Sequence, residues 1–262
     1  MPLTVSHIAT LLRTADRAEF EVLERSLVAD TRKGVRSALD AARRRLDAAD
    51  AERHRLEGLY DFERALREER GASIAVGLDE VGRGSIAGPL AVGAVVLPDD
   101  ALIASLNDSK QLKPADRERI AAEVKRTARA WTVQYVEPEV IDAVGMTASL
   151  VRAFHAAVSA IEAQGVLVDL VLLDGNPLHF DKREVNIVKG DARCASIAAA
   201  SVVAKVERDA LMRRLALEYP AYAFDECKGY ASPAHIAAIG KHGLTPVHRA
   251  TFCTAFLQDS LF

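Results

Sequence analysis

From residue 71 onward the chain sets short apolar runs between glycines and polar turns, and most of these runs have the length of strands rather than helices. Residues 74–78 and 90–97 read as two strands joined by a glycine-rich segment. Residues 132–136 read as a third, 166–173 as a strongly apolar buried strand, and 185–188 as a shorter one. Between them, 114–129 carries Pro114 at a first helical turn with Ile120 and Val124 on one face, and 147–164 repeats the helical spacing. The alanine-rich stretch 195–217 predicts a long helix packed closely on the sheet. Strands first adjacent and then separated by helices predict a mixed sheet with helices on its faces. Before residue 71 the pattern differs. Leu11-Leu12, Phe20, Val22-Leu23 and Leu27-Val28 recur at helical spacing, and Val35, Leu39, Leu46, Leu56 and Leu59 continue it on a longer helix. The chain therefore divides into a helical extension, 1–70, and an α/β domain, 71–262.

The three main strand ends carry carboxylates. Asp79 and Glu80 follow the first apolar run and precede Gly82-Arg83-Gly84; Asp174 follows the buried strand at 166–173, and Asp191 lies just past the strand at 185–188. Ligand sites in such sheets gather beyond strand ends, so four acids from separate segments are expected to converge. An oxygen-rich cluster of this kind suits a hard cation, Mg2+ or Mn2+, and a pair of such ions can clamp both oxygens of an in-line phosphoryl displacement. Each acid also has a plain structural reading: Asp79 as a cap of the strand exit, Asp174 as a turn former before Gly175-Asn176-Pro177, Asp191 as a helix cap. Their shared position at strand ends favours the cluster.

Composition narrows the setting. Half of the 262 residues are hydrophobic, enough for a full core, and a net charge of -3 leaves any nucleic-acid binding to local basic patches. Cys194, Cys227 and Cys253 fit neither a disulfide framework nor a zinc site. With no signal-peptide pattern and no run of eighteen apolar residues, the expectation is a cytoplasmic protein, monomeric by default. Lys110, in a loop before a helix, can meet a phosphate or be a surface lysine. Tyr230, on the glycine-flexed loop 228–235, can stack on a sugar or base, or be buried at a helix start. His248-Arg249 can contact phosphate or tie the C-terminus to the body. The backbone amides of Gly82 and Gly84 are open to a 2′-hydroxyl or phosphate. In the extension, Arg32, Lys33, Arg36, Arg43, Arg44 and Arg45 form a basic run that reads as a solvated helix face or as an accessory nucleic-acid grip.

In order along the chain, GLDEVGRGSIAGPL, LNDSKQL, LLDGN, VKGDARCASIAAASVVAKVERD, KGYASPAH and HGLTPVHRATF together resemble bacterial ribonuclease HII across residues 74–252. The resemblance implies a ribonuclease H-like five-stranded mixed sheet flanked by helices, with a C-terminal helical substrate-binding segment. It implies an endonuclease hydrolysing the RNA strand of RNA/DNA hybrids and incising 5′ of ribonucleotides embedded in duplex DNA, as in ribonucleotide excision repair, leaving 3′-hydroxyl and 5′-phosphate ends. It places Asp79, Glu80, Asp174 and Asp191 at the positions that bind Mg2+ or Mn2+. Gly82, Arg83 and Gly84 stand at the reader of the 2′-hydroxyl, Tyr230 at the junction-sensing tyrosine, and Lys110 at a phosphate contact. Two departures stand out. Gly145 occupies the place of the family's usual asparagine, which puts a minor-groove contact in question, and 252–256 strays from the usual Ser-Phe-x-Pro. The related ribonuclease HIII type shares the acids but generally lacks the Gly-Arg-Gly and Asp-Gly-Asn segments. A non-catalytic hybrid-binding protein on the same scaffold is the reading from another class.

Overall fold

The computed structural model describes residues 3–257, and two compact units divide between Glu57 and Gly58. In the first unit, α1 (Val5–Thr14) and α2 (Arg17–Ser26) precede the start of α3 (Lys33–Arg70). Thr4 accepts from His7 N at 3.2 Å to begin α1, and Asp16 with Glu19 forms a reciprocal capping box at α2. Ile8, Leu12, Phe20, Val35, Leu39 and Leu46 form its core. Of the predicted doublets, Leu12 is buried while Leu11, Val22 and Val28 face solvent, since neighbouring residues on a helix point about 100° apart.

The second unit contains β1 (Ala75–Val81), β2 (Leu90–Val96), α4 (Pro114–Thr127), β3 (Ala130–Val136), α5 (Pro138–Val144) and α6 (Met146–Glu162). There follow β4 (Leu170–Asp174), β5 (Glu184–Ile187), α7 (Ala195–Glu218), α8 (Phe224–Cys227), α9 (Pro233–His242) and α10 (Ala250–Leu257). The five strands form one mixed sheet in the order β3-β2-β1-β4-β5; β1 pairs antiparallel with β2 and parallel with β4. Val76, Leu78, Val92, Leu150, Phe154 and Ile161 build the main core on the α6 side. On the other side lies α7, whose residues Ala195 to Ala204 are all buried. It approaches so closely that a Cβ at Gly77 would strike the backbone of Ser196 and Ile197, and one at Gly93 the carbonyl of Ala200.

Three sequence expectations change. The first strand does not end before the acids: it runs to Val81, because Asp79 to Val81 pair with β2 residues Gly93 to Ala91. The apolar run at 166–173 is a strand only from Leu170. Asp169 interrupts it by accepting from the amides of Ser73 and Ile74, both at 3.0 Å. Asp191 stands not at a strand end but in a 3-10 turn, Gly190–Ala192, that leads into α7. The start of α7 is held from α3: Glu63 Oε2 accepts from Ser196 N at 2.9 Å and from Cys194 Sγ at 3.2 Å. Among the described residues no helix is long and apolar enough to cross a membrane.

Candidate active site

The register explains where the acids meet. β1 pairs with β4 up to Leu78 and Leu173, and the next residue on each strand is an acid, Asp79 and Asp174. β4 stops there while β1 continues beside β2, so the strands part at the two carboxylates. Asp79 and Glu80, being adjacent on a strand, point to opposite faces of the sheet. Both nevertheless reach one cavity of about 430 Å3 that opens across the strand end, lined also by Gly82, Arg83, Gly84, Lys110, Asp174 and Tyr230. Asp191 lies beside it, its Oδ2 3.5 Å from Lys110 Nζ. The structure thus brings Asp79, Glu80, Gly82, Arg83, Gly84, Lys110, Asp174 and Tyr230 to one cavity, with Asp191 at its edge through Lys110.

Electrostatics mark the same point. Burial, then the charge of Glu80, drives the Asp79 carboxyl well above the usual range, and a hydrogen bond with Ser201 only partly opposes this. Burial likewise raises Glu80, with Asp174 adding to it, and raises Asp191, to which Asp174 and Asp108 contribute. Each acid has a local partner that eases this repulsion. Asp79 Oδ1 accepts from Glu80 N at 2.8 Å, and Asp174 Oδ1 from Gly190 N at 2.6 Å. Glu80 lies 3.5 Å from Arg83, and Asp191 pairs with Lys110. Among the described residues no group of three or more His, Cys, Asp or Glu side chains stands ready to hold a metal ion. The donor set still suits one: the carboxylates of Asp79, Glu80 and Asp174 line one cavity, and carboxylate oxygens are the ligands a hard cation prefers.

Tyr230 is 40% exposed with its ring on the cavity, so it is not a buried helix-start residue. His248 and Arg249 are buried, and Arg249 donates to the carbonyls of Gly88 and Arg83. The pair ties the C-terminal segment to the body. Ser201 and Lys205 also line the cavity, with Arg208 beneath it, and none was singled out from sequence. The available signal was polar residues at 201, 205 and 208, a helical repeat in an otherwise apolar segment.

The five-stranded mixed sheet with α7 against it is the fold of the ribonuclease H class. The ribonuclease H2 of Pyrococcus horikoshii OT3 superposes with a TM-score of 0.61 at 24% identity, over 72% of this chain and 99% of that one. Bst-RNase HIII in complex with Mn2+ superposes with a TM-score of 0.55 at 20% identity, over 72% of this chain and 70% of that one. The sequence model of the ribonuclease HII family matches residues 76–255, and that of the ribonuclease HII N-terminal domain matches residues 4–67. A ribonuclease HII from Halalkalibacterium halodurans is 40% identical over 250 residues, 95% of this chain and 94% of the relative. The chain belongs to the ribonuclease HII family, with ribonuclease H activity on RNA/DNA hybrids and the family's use of divalent metal ions.

Proposed function

We propose that this protein hydrolyses the RNA strand of RNA/DNA hybrids and also incises duplex DNA 5′ of single embedded ribonucleotides, leaving 3′-hydroxyl and 5′-phosphate ends. The observation that carries this reading is that Gly82-Arg83-Gly84 and Tyr230 open onto the same cavity as Asp79, Glu80 and Asp174. Recognition and cleavage then act on neighbouring nucleotides. Asp79, Glu80, Asp174 and Asp191 would hold Mg2+ or Mn2+, which when bound supplies an activated water and charge stabilisation at the leaving 3′-oxygen. The amides of Gly82 and Gly84 meet the ribose 2′-hydroxyl, which DNA lacks. The Tyr230 ring stacks on the following deoxyribose, where a 2′-hydroxyl would crowd it. Lys110 and Arg83, both exposed at the cavity edge, pair with the flanking phosphates and in doing so release Asp191 and Glu80 from their local partners. The protein is proposed to act as a monomer in the cytoplasm, its residues 1–70 serving as a helical accessory to the catalytic domain, 71–262.

The test is cleavage of an end-labelled duplex holding one ribonucleotide, with Mg2+, Mn2+ and chelator compared. Incision 5′ of the ribonucleotide that needs either ion, and falls at least 100-fold in Asp79→Asn, is the expected result. Cleavage of long hybrids with none at the single ribonucleotide would overturn the junction reading.

A further inference from the structure

Among the described residues Arg208 and Arg249 are the largest fully buried side chains, and both guanidinium groups donate to backbone carbonyls. Burying two like charges this way is costly, and a core of the same volume could be filled by apolar residues. What the two groups hold is therefore informative. Arg208 Nε donates to Pro89 O at 2.8 Å and Nη2 to Ala87 O at 3.2 Å, at the end of the loop that begins Gly82-Arg83-Gly84. Its Nη1 donates to Lys228 O at 2.9 Å, two residues before Tyr230, and the guanidinium carbon lies 5.9 Å from the Tyr230 ring centroid. Gly229 O accepts from the amides of Ile86 and Ala87, at 2.9 and 3.1 Å, so the two segments also touch directly. Gly82 has positive φ, and a Cβ there would run into the Arg208 guanidinium. Arg249 completes the joint, donating to Gly88 O at 2.9 Å and Arg83 O at 3.1 Å. Burial lowers the proton affinity of both, Arg249 to about 10.

The geometry points to Arg208, seconded by Arg249, as a positioning residue that locks the Gly82–Gly84 segment and Tyr230 into one rigid reader, and so sets the preference for a ribonucleotide–deoxyribonucleotide junction over a uniform hybrid. This rests on the proposed roles of those segments. Two recognition groups from distant parts of the chain can measure one dinucleotide step only if the distance between them is fixed, and a three-way planar donor fixes it better than a lysine could. A uniform hybrid offers a 2′-hydroxyl at every step and depends less on that spacing.

The experiment compares kcat/KM on a duplex with one embedded ribonucleotide and on a uniform RNA/DNA hybrid for the wild type, Arg208→Lys, Arg249→Lys, Tyr230→Ala and the Arg208→Lys/Tyr230→Ala double variant. Thermal unfolding is followed in each. The lysine variants keep charge and much of the volume, so they carry the comparison where a larger truncation would unfold. Arg208→Lys is expected to lower junction cleavage at least 10-fold more than hybrid cleavage, with the loss mainly in kcat, and to cost little further in the Tyr230→Ala background. Equal losses on both substrates, or losses that simply add in the double variant, would overturn the inference. If Tyr230→Ala itself leaves the junction preference intact, the underlying recognition reading fails instead, so the two failures are told apart.

Discussion

A chain of hydrogen bonds fixes the protons on two buried histidines. Thr245 N can only donate, so His248 Nδ1, at 3.0 Å from it, is an acceptor and the His248 proton sits on Nε2. That N–H points at His235 Nε2, 3.0 Å away, which leaves the His235 proton on Nδ1, donated to Tyr230 O at 2.9 Å. A second proton on either ring would set two N–H groups against each other. Burial, with the neighbouring His235, pushes His248 down to about 4, and burial also lowers His235. Because the folded value lies below the unfolded one, about 6.5, the stability this group contributes is complete above pH 6.5. It is lost as the pH falls from there toward 4, at about 1.4 kcal/mol per unit of depression. Melting temperatures measured from pH 7 to pH 4 should therefore fall less steeply in His248→Gln than in the wild type. Parallel curves would show that the histidine pair does not titrate in this window. None of this was readable in the sequence: a histidine bonded to another histidine and a backbone carbonyl looks the same there as one on the surface. The acids were readable because repulsion between Asp79 and Glu80 beside a buried strand is itself unusual.

Helix α5 shows what a one-dimensional pattern leaves out at the scale of elements. Seven residues are too few for periodicity to register, and only Pro138 after Glu137 marked its start. The break between α5 and α6 is Gly145, at φ 80° and ψ 165°, whose carbonyl accepts from Ser149 N and Oγ. This backbone region is open essentially to glycine alone. Although a Cβ there would meet open space, the usual asparagine of the family is incompatible with the present turn. Gly145→Asn should lower unfolding stability by about 1–3 kcal/mol in urea titration without improving hybrid affinity. An unchanged midpoint with tighter binding would mean that the turn refolds around the asparagine. Gly145 thus sets the backbone of this turn, which its residue type alone did not disclose. The strand assignments erred for a related reason. Apolar composition ran past the element at 166–169 and stopped short of it at 79–81, because backbone pairing, not hydropathy, sets where a strand ends.

For the whole molecule, charge is distributed unit by unit. In the first unit Arg32 pairs with Asp30, Arg43 with Glu24 and Asp40, and Arg17 with Asp47 and Asp50. Arg36 and Arg45 donate to the backbone carbonyls of Val28 and Ala15. Most of the basic run is thus engaged within its own unit, which favours the solvated-face reading over a nucleic-acid grip. A chain beginning at residue 58 keeps Glu63 and its bonds to α7, whereas one beginning at 71 loses them. With the former, the dependence of log K for hybrid binding on log salt should change by less than one phosphate contact's worth, a slope of about 0.9. A larger drop would assign the unit a direct hold on the duplex.

The close seating of α7 on the sheet has a consequence in genetic terms. Along residues 195–204 an alanine codon becomes a valine codon by one base change, a mild exchange on paper. At Ala200 and Ala204, which lie against Gly93 of β2, the added methyls must displace the helix from the strand, at about 1–3 kcal/mol. Conditional alleles that fail only on warming should therefore gather in this silent-looking stretch.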